Sequence, residues 1–338
     1  MAKEGPLRAL ITGITGFAGS HLADHLLAQE GWEVTGVGLP RDSRRNVAHL
    51  GARITLHLLD MGDYEAVRQL LEGARPGNVY HLAAQAAVGR SWAKPAETLT
   101  NNVVAQANLL QGIVELGLHP RVLIVGSGDE YGLVRPEDLP VGEETPLRPL
   151  NPYAVSKIAQ DYLGYQYYLS RGVDVVRVRP FNHIGPRQGP GFVVPDFSLQ
   201  LAEIEMGRRE PVLRVGNLSA VRDFTDVRDM VRAYYLALLK GQAGEVYNIG
   251  SSKGCAIQEI LNRLESMCRV SVRVEPDEAR LRPSDVPIMV CNSQRFRSET
   301  GWAPEYALER SLQGALDDWR DRVAGRRAAQ TGDMRMAQ

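Results

Sequence analysis

The stretch Arg8-Ala-Leu-Ile-Thr12-Gly13-Ile-Thr-Gly16-Phe-Ala-Gly19-Ser20 decides the fold. Arg8 to Thr12 is a short strand-like run, and Ser20 to Leu27 follows with Leu22, Leu26 and Leu27 at helical spacing. Between strand and helix stand Gly13, Gly16 and Gly19, with Thr15, Phe17 and Ala18 completing the turn. Glycines allow close backbone approach, and a helix start offers unpaired N–H groups and the positive end of its dipole. The turn therefore reads as a cradle for the pyrophosphate of a dinucleotide. A glycine triplet by itself also fits a purely structural turn; the strand–turn–helix setting favours the cradle.

Outward from this turn, strands alternate with helices. Glu33 to Val37, Arg53 to Leu59, Asn78 to Leu82 and Arg121 to Val125 read as strands, and Tyr64 to Leu71 and Thr98 to Leu116 as helices. This alternation predicts an α/β fold, a Rossmann-type doubly wound parallel sheet covered on both faces. The second half predicts a helix over 151–170, a strand over 173–178 and a Pro/Gly-rich loop over 180–191. Shorter segments follow at 196–207, 212–215, 227–239, 245–249 and 257–268. These predict a smaller mixed α/β lobe. The expected division is a dinucleotide-binding domain over 1–179 and a substrate lobe over 180–324, with some of its segments returning to the first domain. Residues 325–338 are polar and aperiodic and predict a flexible tail.

Composition excludes several classes. A net charge of −1 without a basic block lacks the footprint of a nucleic-acid or membrane-surface binder. No apolar run reaches the ~20 residues of a membrane span, and no signal-peptide pattern opens the chain. Cys255, Cys268 and Cys291 form neither a Cys-x-x-Cys pair nor an even set, so neither a disulfide framework nor a metal site is indicated. A cytoplasmic protein is expected.

Tyr153 and Lys157, in Asn151-Pro-Tyr-Ala-Val-Ser-Lys157, lie one helical turn apart and share a face. An ammonium beside a phenol favours the phenolate, so the Tyr153 pKa is expected to fall from its ordinary value near ~10. Such a pair can move a proton at an oxygen while hydride moves at the adjoining carbon. At the end of the second strand, an NAD-binding protein carries an acid for the ribose 2′-hydroxyl. Here the strand runs into Leu39-Pro-Arg41, with Arg44 and Arg45 nearby and Asp42 as the competing acid. Arg41 suits a 2′-phosphate, which points to NADPH over NAD. Asp60 suits the adenine amino group or, alternatively, a helix cap near Asp63.

Together, Thr12-Gly-x-x-Gly-Phe-x-Gly19, Asp60-Met61, His81-Leu-Ala-Ala84, Ser127 to Gly132 and Tyr153-x-x-x-Lys157 resemble the extended short-chain dehydrogenase/reductase superfamily over nearly the whole chain. Arg179 to Arg187, Gly216 to Asp223 and Leu281 to Pro287 are similar to its GDP-mannose branch, which contains 4,6-dehydratases and 4-keto-6-deoxymannose reductases. The resemblance implies that Met61, Leu82, Ala83 and Ala84 line the cofactor and that Ser127 bonds the reacting sugar oxygen beside Tyr153. It also implies that Lys157 holds the nicotinamide ribose. Asn182, Arg222 and Arg282, with Arg187 and Asn217 as further candidates, would bind the nucleotide diphosphate; planar guanidiniums suit phosphate oxygens. His183 is expected to be a hydrogen-bonded loop residue. Pairing of subunits through a four-helix bundle of the helices over 98–116 and 151–170, as a dimer or a tetramer, is also implied.

Within the branch, dehydratases place a glutamate two residues before Tyr131, where it takes the C5 proton. This chain has Asp129, one methylene shorter, preceded by Gly128. A base displaced by ~1 Å costs ~10²-fold, so the shorter reach counts against elimination, and Glu130 would serve only in a shifted register. Val221 departs from the lysine usual in dehydratases of the branch. The resemblance thus implies NADPH-dependent reduction of the C4 ketone of GDP-4-keto-6-deoxy-D-mannose to GDP-D-rhamnose. The alternatives are a GDP-mannose 4,6-dehydratase, another nucleotide-sugar epimerase, or an NADP(H)-sensing binding protein.

Overall fold

The computed structural model describes residues 6–281 and 286–336. The first half contains β1 (Leu7–Thr12), α1 (Phe17–Leu27), β2 (Trp32–Gly38), β3 (Ile54–Leu58), α2 (Tyr64–Ala74) and β4 (Asn78–His81). It continues through α3 (Val88–Ala93), α4 (Pro95–Glu115), β5 (Arg121–Val125), α5 (Pro152–Arg171) and β6 (Val175–Pro180). The second half runs β7 (Asn182–Ile184), α6 (Val193–Glu205), β8 (Val212–Val215), β9 (Val221–Asp226), α7 (Val227–Lys240), β10 (Val246–Ile249) and β11 (Gly254–Ala256). After these come α8 (Ile257–Met267), β12 (Arg273–Pro276), β13 (Ile288–Met289), α9 (Gln294–Thr300) and α10 (Leu308–Met336).

Seven strands form one parallel sheet in the order β10-β6-β5-β4-β1-β2-β3. The chain winds outward from β1 to β3, then returns to the other side of β1 at β4. A doubly wound sheet opens its ligand crevice at that reversal, beyond the strands' carboxyl ends. Burial follows from the layers: β1 begins exposed and ends with Ala9, Leu10, Ile11 and Thr12 all buried. One face packs Leu22, Leu26, Val231 and Tyr234 from α1 and α7, and the other packs Leu70, Leu109 and Ile113 from α2 and α4.

The chain of the second half returns to this sheet through α7 and β10. Its remaining strands make a small sheet in which β9 pairs with β7, β11 and β13, beside a β8–β12 pair. Val194, Phe197, Leu201, Leu261 and Leu316 form the core of this lobe.

Two sequence expectations are corrected. The segment expected as loop from Pro180 to Gly191 contains β7, whose Asn182 to Ile184 register with Phe224 to Asp226 of β9. The segment expected as a tail from Gly325 continues the α10 helix to Met336; Arg, Ala and Gln in 326–330 are strong helix formers, and that propensity prevails over the missing apolar period.

Candidate active site

Gly13 occupies a left-handed conformation (φ 74°), and a Cβ added at Gly19 would overlap the Gly13 carbonyl oxygen. No other residue at position 19 lets α1 start this close to the turn. Thr15 Oγ1 donates to Asp42 Oδ2 at 2.7 Å, and the Leu39 amide donates to the same oxygen at 2.9 Å. The competing acid is thereby bound into the turn, while Arg41, Ser43 and Arg45 line the crevice. Asp63, not Asp60, caps α2 by accepting from the Ala66 amide. Asp60 accepts from the Gly62 amide at 2.8 Å and lines the crevice with Met61.

Asn151 Oδ1 accepts from the Ala154 amide at 2.8 Å, and Pro152 opens α5. This cap sets the helix phase, so that Tyr153 and Lys157 both face the crevice. Opposite them, β5 ends at Val125 and the chain turns through Gly126 and Ser127. The Ser127 hydroxyl accepts from the Asp129 amide and is hydrogen-bonded to the Tyr153 phenol. Glu130 closes the turn from inside: its Oε1 accepts from the Ser127 amide at 2.8 Å and its Oε2 lies 3.1 Å from Arg179 Nε. Asp129 lines the crevice; the fully buried Glu130 braces the turn from behind and is no candidate base.

Lys157 is almost wholly buried, and burial holds its pKa down to about 8 against the opposing pull of Glu130 and Asp161. Its ammonium donates to Gln160 Oε1 at 2.8 Å, and Gln160 Nε2 reaches His81 Nε2 at 3.3 Å. Burial, with Lys157 nearby, lowers the His81 pKa to about 3, so the ring is neutral. A donor at Nε2 assigns the His81 proton to Nδ1, which bonds Thr12 Oγ1 at 2.9 Å, the same oxygen that accepts from the Ala83 amide. A buried chain of bonds thus joins Lys157 to the tips of β1 and β4. The Tyr153 pKa is raised, by burial first and then by Asp129, with the Ser127 bond opposing. This corrects the expected fall: burial outweighs any help from Lys157, and the phenol keeps its proton at neutral pH.

The glycine turn, Arg41, Asp60, Ser127, Asp129, Tyr153 and Lys157 line one cavity of about 1290 Å³, larger than the ~300–1,000 Å³ of a single-ligand pocket. It brings together every candidate among the described residues: Gly13, Thr15, Gly16, Phe17, Ala18, Gly19, Arg41, Asp60, Met61, Leu82, Ala83, Ala84, Ser127, Asp129, Tyr153, Lys157, Asn182, Arg187, Asn217 and Arg222. Arg282 lies outside the described residues. Asn217 Oδ1 is turned back to the Ser219 amide and hydroxyl, and Arg222 Nη1 donates to the Val221 carbonyl at 2.9 Å.

Arg187, expected as a further diphosphate candidate, lines the cavity and is tied to both lobes. Its guanidinium pairs with Asp24 of α1 at 2.6 Å, and its amide donates to Asp318 of α10 at 2.9 Å. Its backbone is left-handed (φ 73°), rare for a bulky residue. It clasps the connection between the lobes to the helix that follows the glycine turn. His183 stacks on Phe17 with centroids 5.6 Å apart and bonds the Phe181 carbonyl, as a loop residue should. Sequence reading missed Ser43, Phe192, Asp196, Tyr234 and Arg280 in the wall. Of these only Arg280, two residues before Arg282, carried a local signal.

A family model described as GDP-mannose 4,6 dehydratase matches residues 10–314, and the chain belongs to that family. It is 36% identical over 317 residues to the GDP-6-deoxy-D-mannose reductase of Pseudomonas aeruginosa, covering 94% of this chain and 98% of the relative. A GDP-mannose 4,6-dehydratase of Vibrio cholerae is 28% identical, over 90% of this chain and 91% of its own. Among solved structures, RMD from Pseudomonas aeruginosa complexed with NADPH superposes with a TM-score of 0.83 at 34% identity, over 94% of this chain and 99% of that one. A UDP-glucose 4-epimerase from Thermotoga maritima with UDP-glucose gives the same score at 27% identity, over the same shares.

Proposed function

We propose that this protein uses NADPH to reduce the C4 ketone of GDP-4-keto-6-deoxy-D-mannose, giving GDP-D-rhamnose. The carrying observation is at the turn after β5. Asp129 stands where elimination needs the longer glutamate, and the adjacent glutamate, Glu130, is locked to Arg179 and the Ser127 amide. Ketone reduction needs no such base. The 36% identity to a reductase supports the same reading.

The wall fits the cofactor. The Gly13–Gly19 cradle admits a pyrophosphate, Arg41 and Arg45 suit a 2′-phosphate, and the competing acid, Asp42, is engaged by Thr15 and Leu39. When bound there, NADPH supplies the hydride for the sugar C4. Ser127 and Tyr153 hold the ketone oxygen, and Tyr153 delivers its proton to that oxygen as negative charge develops on it. Lys157 holds the nicotinamide ribose from the floor of the site. Asn182, Arg222 and Arg282 are assigned to the diphosphate.

An absorbance assay tests the reading. NADPH is expected to disappear with GDP-4-keto-6-deoxy-D-mannose, more slowly if NADH replaces it, and not with GDP-mannose alone. Conversion of GDP-mannose to the 4-keto product without added reductant would make the protein a dehydratase. Silence with both sugars, with NADPH bound, would favour a sensor.

Lys157 gives a pH dependence. Its cationic form is the one that donates to ribose hydroxyls, and a lysine lowered to about 8 loses that form as pH rises through this value. The ratio kcat/KM for NADPH is expected to fall above pH 8, because this ratio reports groups of the free enzyme. Lys157→Arg stays charged, so its lower plateau should show no break there. The same alkaline limb in the arginine variant would assign the titration to another group.

The protein is further proposed to pair through α4 and α5, which pack side by side. Val104 of α4 and Val155, Tyr162 and Leu169 of α5 are exposed apolar residues, and the last three recur at seven-residue spacing along one stripe. Two such faces would form a four-helix bundle. Light scattering that returns a monomer mass at micromolar concentration would sink the proposal. Among the described residues, no helix is long and apolar enough to cross a membrane.

A further inference from the structure

Resting on the reading that NADPH occupies the cavity, we propose that Gln160 is a positioning residue. With His81 and Thr12 it forms a buried polar spine that aims the Lys157 ammonium and fixes it relative to the glycine turn. Gln160 follows Lys157 by three residues on α5, so the two side chains share a face. Lys157, Gln160, His81 and Thr12 are 4%, 1%, 1% and 0% exposed, so their polar atoms depend on one another.

The polarity of the spine is set from its charged end. An ammonium only donates, so the 2.8 Å bond from Lys157 Nζ ends on Gln160 Oε1. That leaves Gln160 Nε2, also only a donor, 3.3 Å from His81 Nε2, which therefore accepts. The ring proton is then on Nδ1, directed at Thr12 Oγ1 2.9 Å away. Thr12 Oγ1 also accepts from the Ala83 amide at 3.1 Å. Ala83 in turn packs on Gly13, where an added Cβ would meet the Ala83 nitrogen at 3.0 Å. Lys157 and Gly13 line the cavity, whereas Thr12, His81 and Gln160 lie behind its wall. The spine thus joins two contacts expected of one cofactor, the ribose lysine and the first glycine of the pyrophosphate turn.

The backbone of Gln160 is held as well as its side chain: its carbonyl accepts from Gln106 Nε2 of α4 at 2.6 Å, and Gln106 is wholly buried. The acceptor for Lys157 is a neutral amide although an acid, Asp161, is the next residue. Both Asp161 oxygens are taken by Arg177 and Arg179. An ammonium has three N–H groups, so the bond to Gln160 orients the other two towards ribose hydroxyls. A carboxylate at position 160 would accept only, and would turn His81 to its other tautomer, with Thr12 donating to Nδ1. Losing any member of such a buried network weakens the rest.

Fluorescence titration of NADPH against pH, with no sugar present, tests the role together with nitrogen NMR of histidine-labelled protein. In wild type, NADPH affinity is expected to weaken as pH rises through the Lys157 pKa of about 8, with the His81 proton on Nδ1. Gln160→Met keeps the length of the side chain and removes the acceptor. Its affinity should fall by roughly 10–150-fold, the worth of a hydrogen bond to a charged group, and the weakening should begin at lower pH. Gln160→Glu should recover part of that affinity and move the weakening up by roughly 1–3 pH units, the effect of an opposite charge nearby. It should also move the His81 proton to Nε2. The other titratable groups acting on Lys157, Glu130 of the Ser127 turn, Asp161 of α5 and His81 of β4, keep their places in both variants. Gln160→Met binding NADPH within twofold of wild type would overturn the proposal and leave the spine as packing. So would a His81 proton on Nε2 in wild type, or one that stays on Nδ1 in Gln160→Glu. If Gln160→Met does not fold, the isosteric Gln160→Glu and the tautomers decide. Both readouts need no turnover, so they stay separate from failure of the reductase reading, which would appear as NADPH left unconsumed with the GDP-ketone.

Discussion

Tyr153→Phe is expected to lower kcat for ketone reduction by roughly 10²–10⁴-fold, the span of a lost general acid, with NADPH affinity unchanged within about twofold. The variant keeps the ring against its neighbours and removes one hydroxyl. That hydroxyl is protonated at neutral pH because burial, Asp129 and Glu130 all disfavour the phenolate. A reluctant acid is adequate here. Hydride arrival at C4 makes an alkoxide far more basic than a phenolate, so transfer from Tyr153 is downhill once the hydride moves. Ser127 holds the oxygen and has no proton of comparable acidity, so it does not replace the tyrosine. Single-turnover NADPH oxidation together with fluorescence titration of bound NADPH checks both halves of the expectation. A variant with kcat within tenfold of wild type would remove Tyr153 from the chemistry.

The features legible in the sequence were those set by local spacing. A strand, three glycines and a helical period suffice to place β1, the turn and α1, since burial and backbone approach at 13, 16 and 19 are decided within a few residues. The Asn151 cap and the helical period together aim Tyr153 and Lys157. What sequence reading missed depends on partners distant in the chain. Strands as short as β7, β11 and β13 exist because β9 pairs with them, and none has a period of its own. The left-handed backbone of Arg187 and its pairing with Asp24, 163 positions earlier in the chain, carry no local signal either. The direction of the Tyr153 shift was misjudged for a related reason: four-residue spacing brings a charge near, whereas burial depends on the whole lobe.

Asp161→Asn is expected to destabilise the protein by ~3–5 kcal/mol, the cost of removing one partner from a buried ion pair. Asp161 is one turn beyond Lys157 on α5, and its side chain is 1% exposed. Its Oδ1 takes Arg177 Nη1 at 2.6 Å, and its Oδ2 takes Arg179 Nε at 2.7 Å and Nη2 at 2.6 Å. Both arginines lie on β6, a strand buried along its whole length, and alternate residues of a strand share a face. Arg179 continues to Glu130 and to the Tyr131 hydroxyl, so the carboxylate ties α5 to the sheet and to the Ser127 turn. An amide cannot balance two buried guanidiniums. Adding Arg177→Met removes one of those stranded charges, so the double variant is expected to recover part of the loss, a coupling that urea unfolding of the four variants measures. Catalysis should respond as well. Asp161 is one of the charges that favour the Lys157 ammonium; without it the lysine pKa moves further down, and the alkaline fall in kcat/KM for NADPH should begin below pH 8. If Asp161→Asn unfolded at the wild-type urea concentration and kept the wild-type pH profile, the buried carboxylate would be neither a structural tie nor a counterion to Lys157.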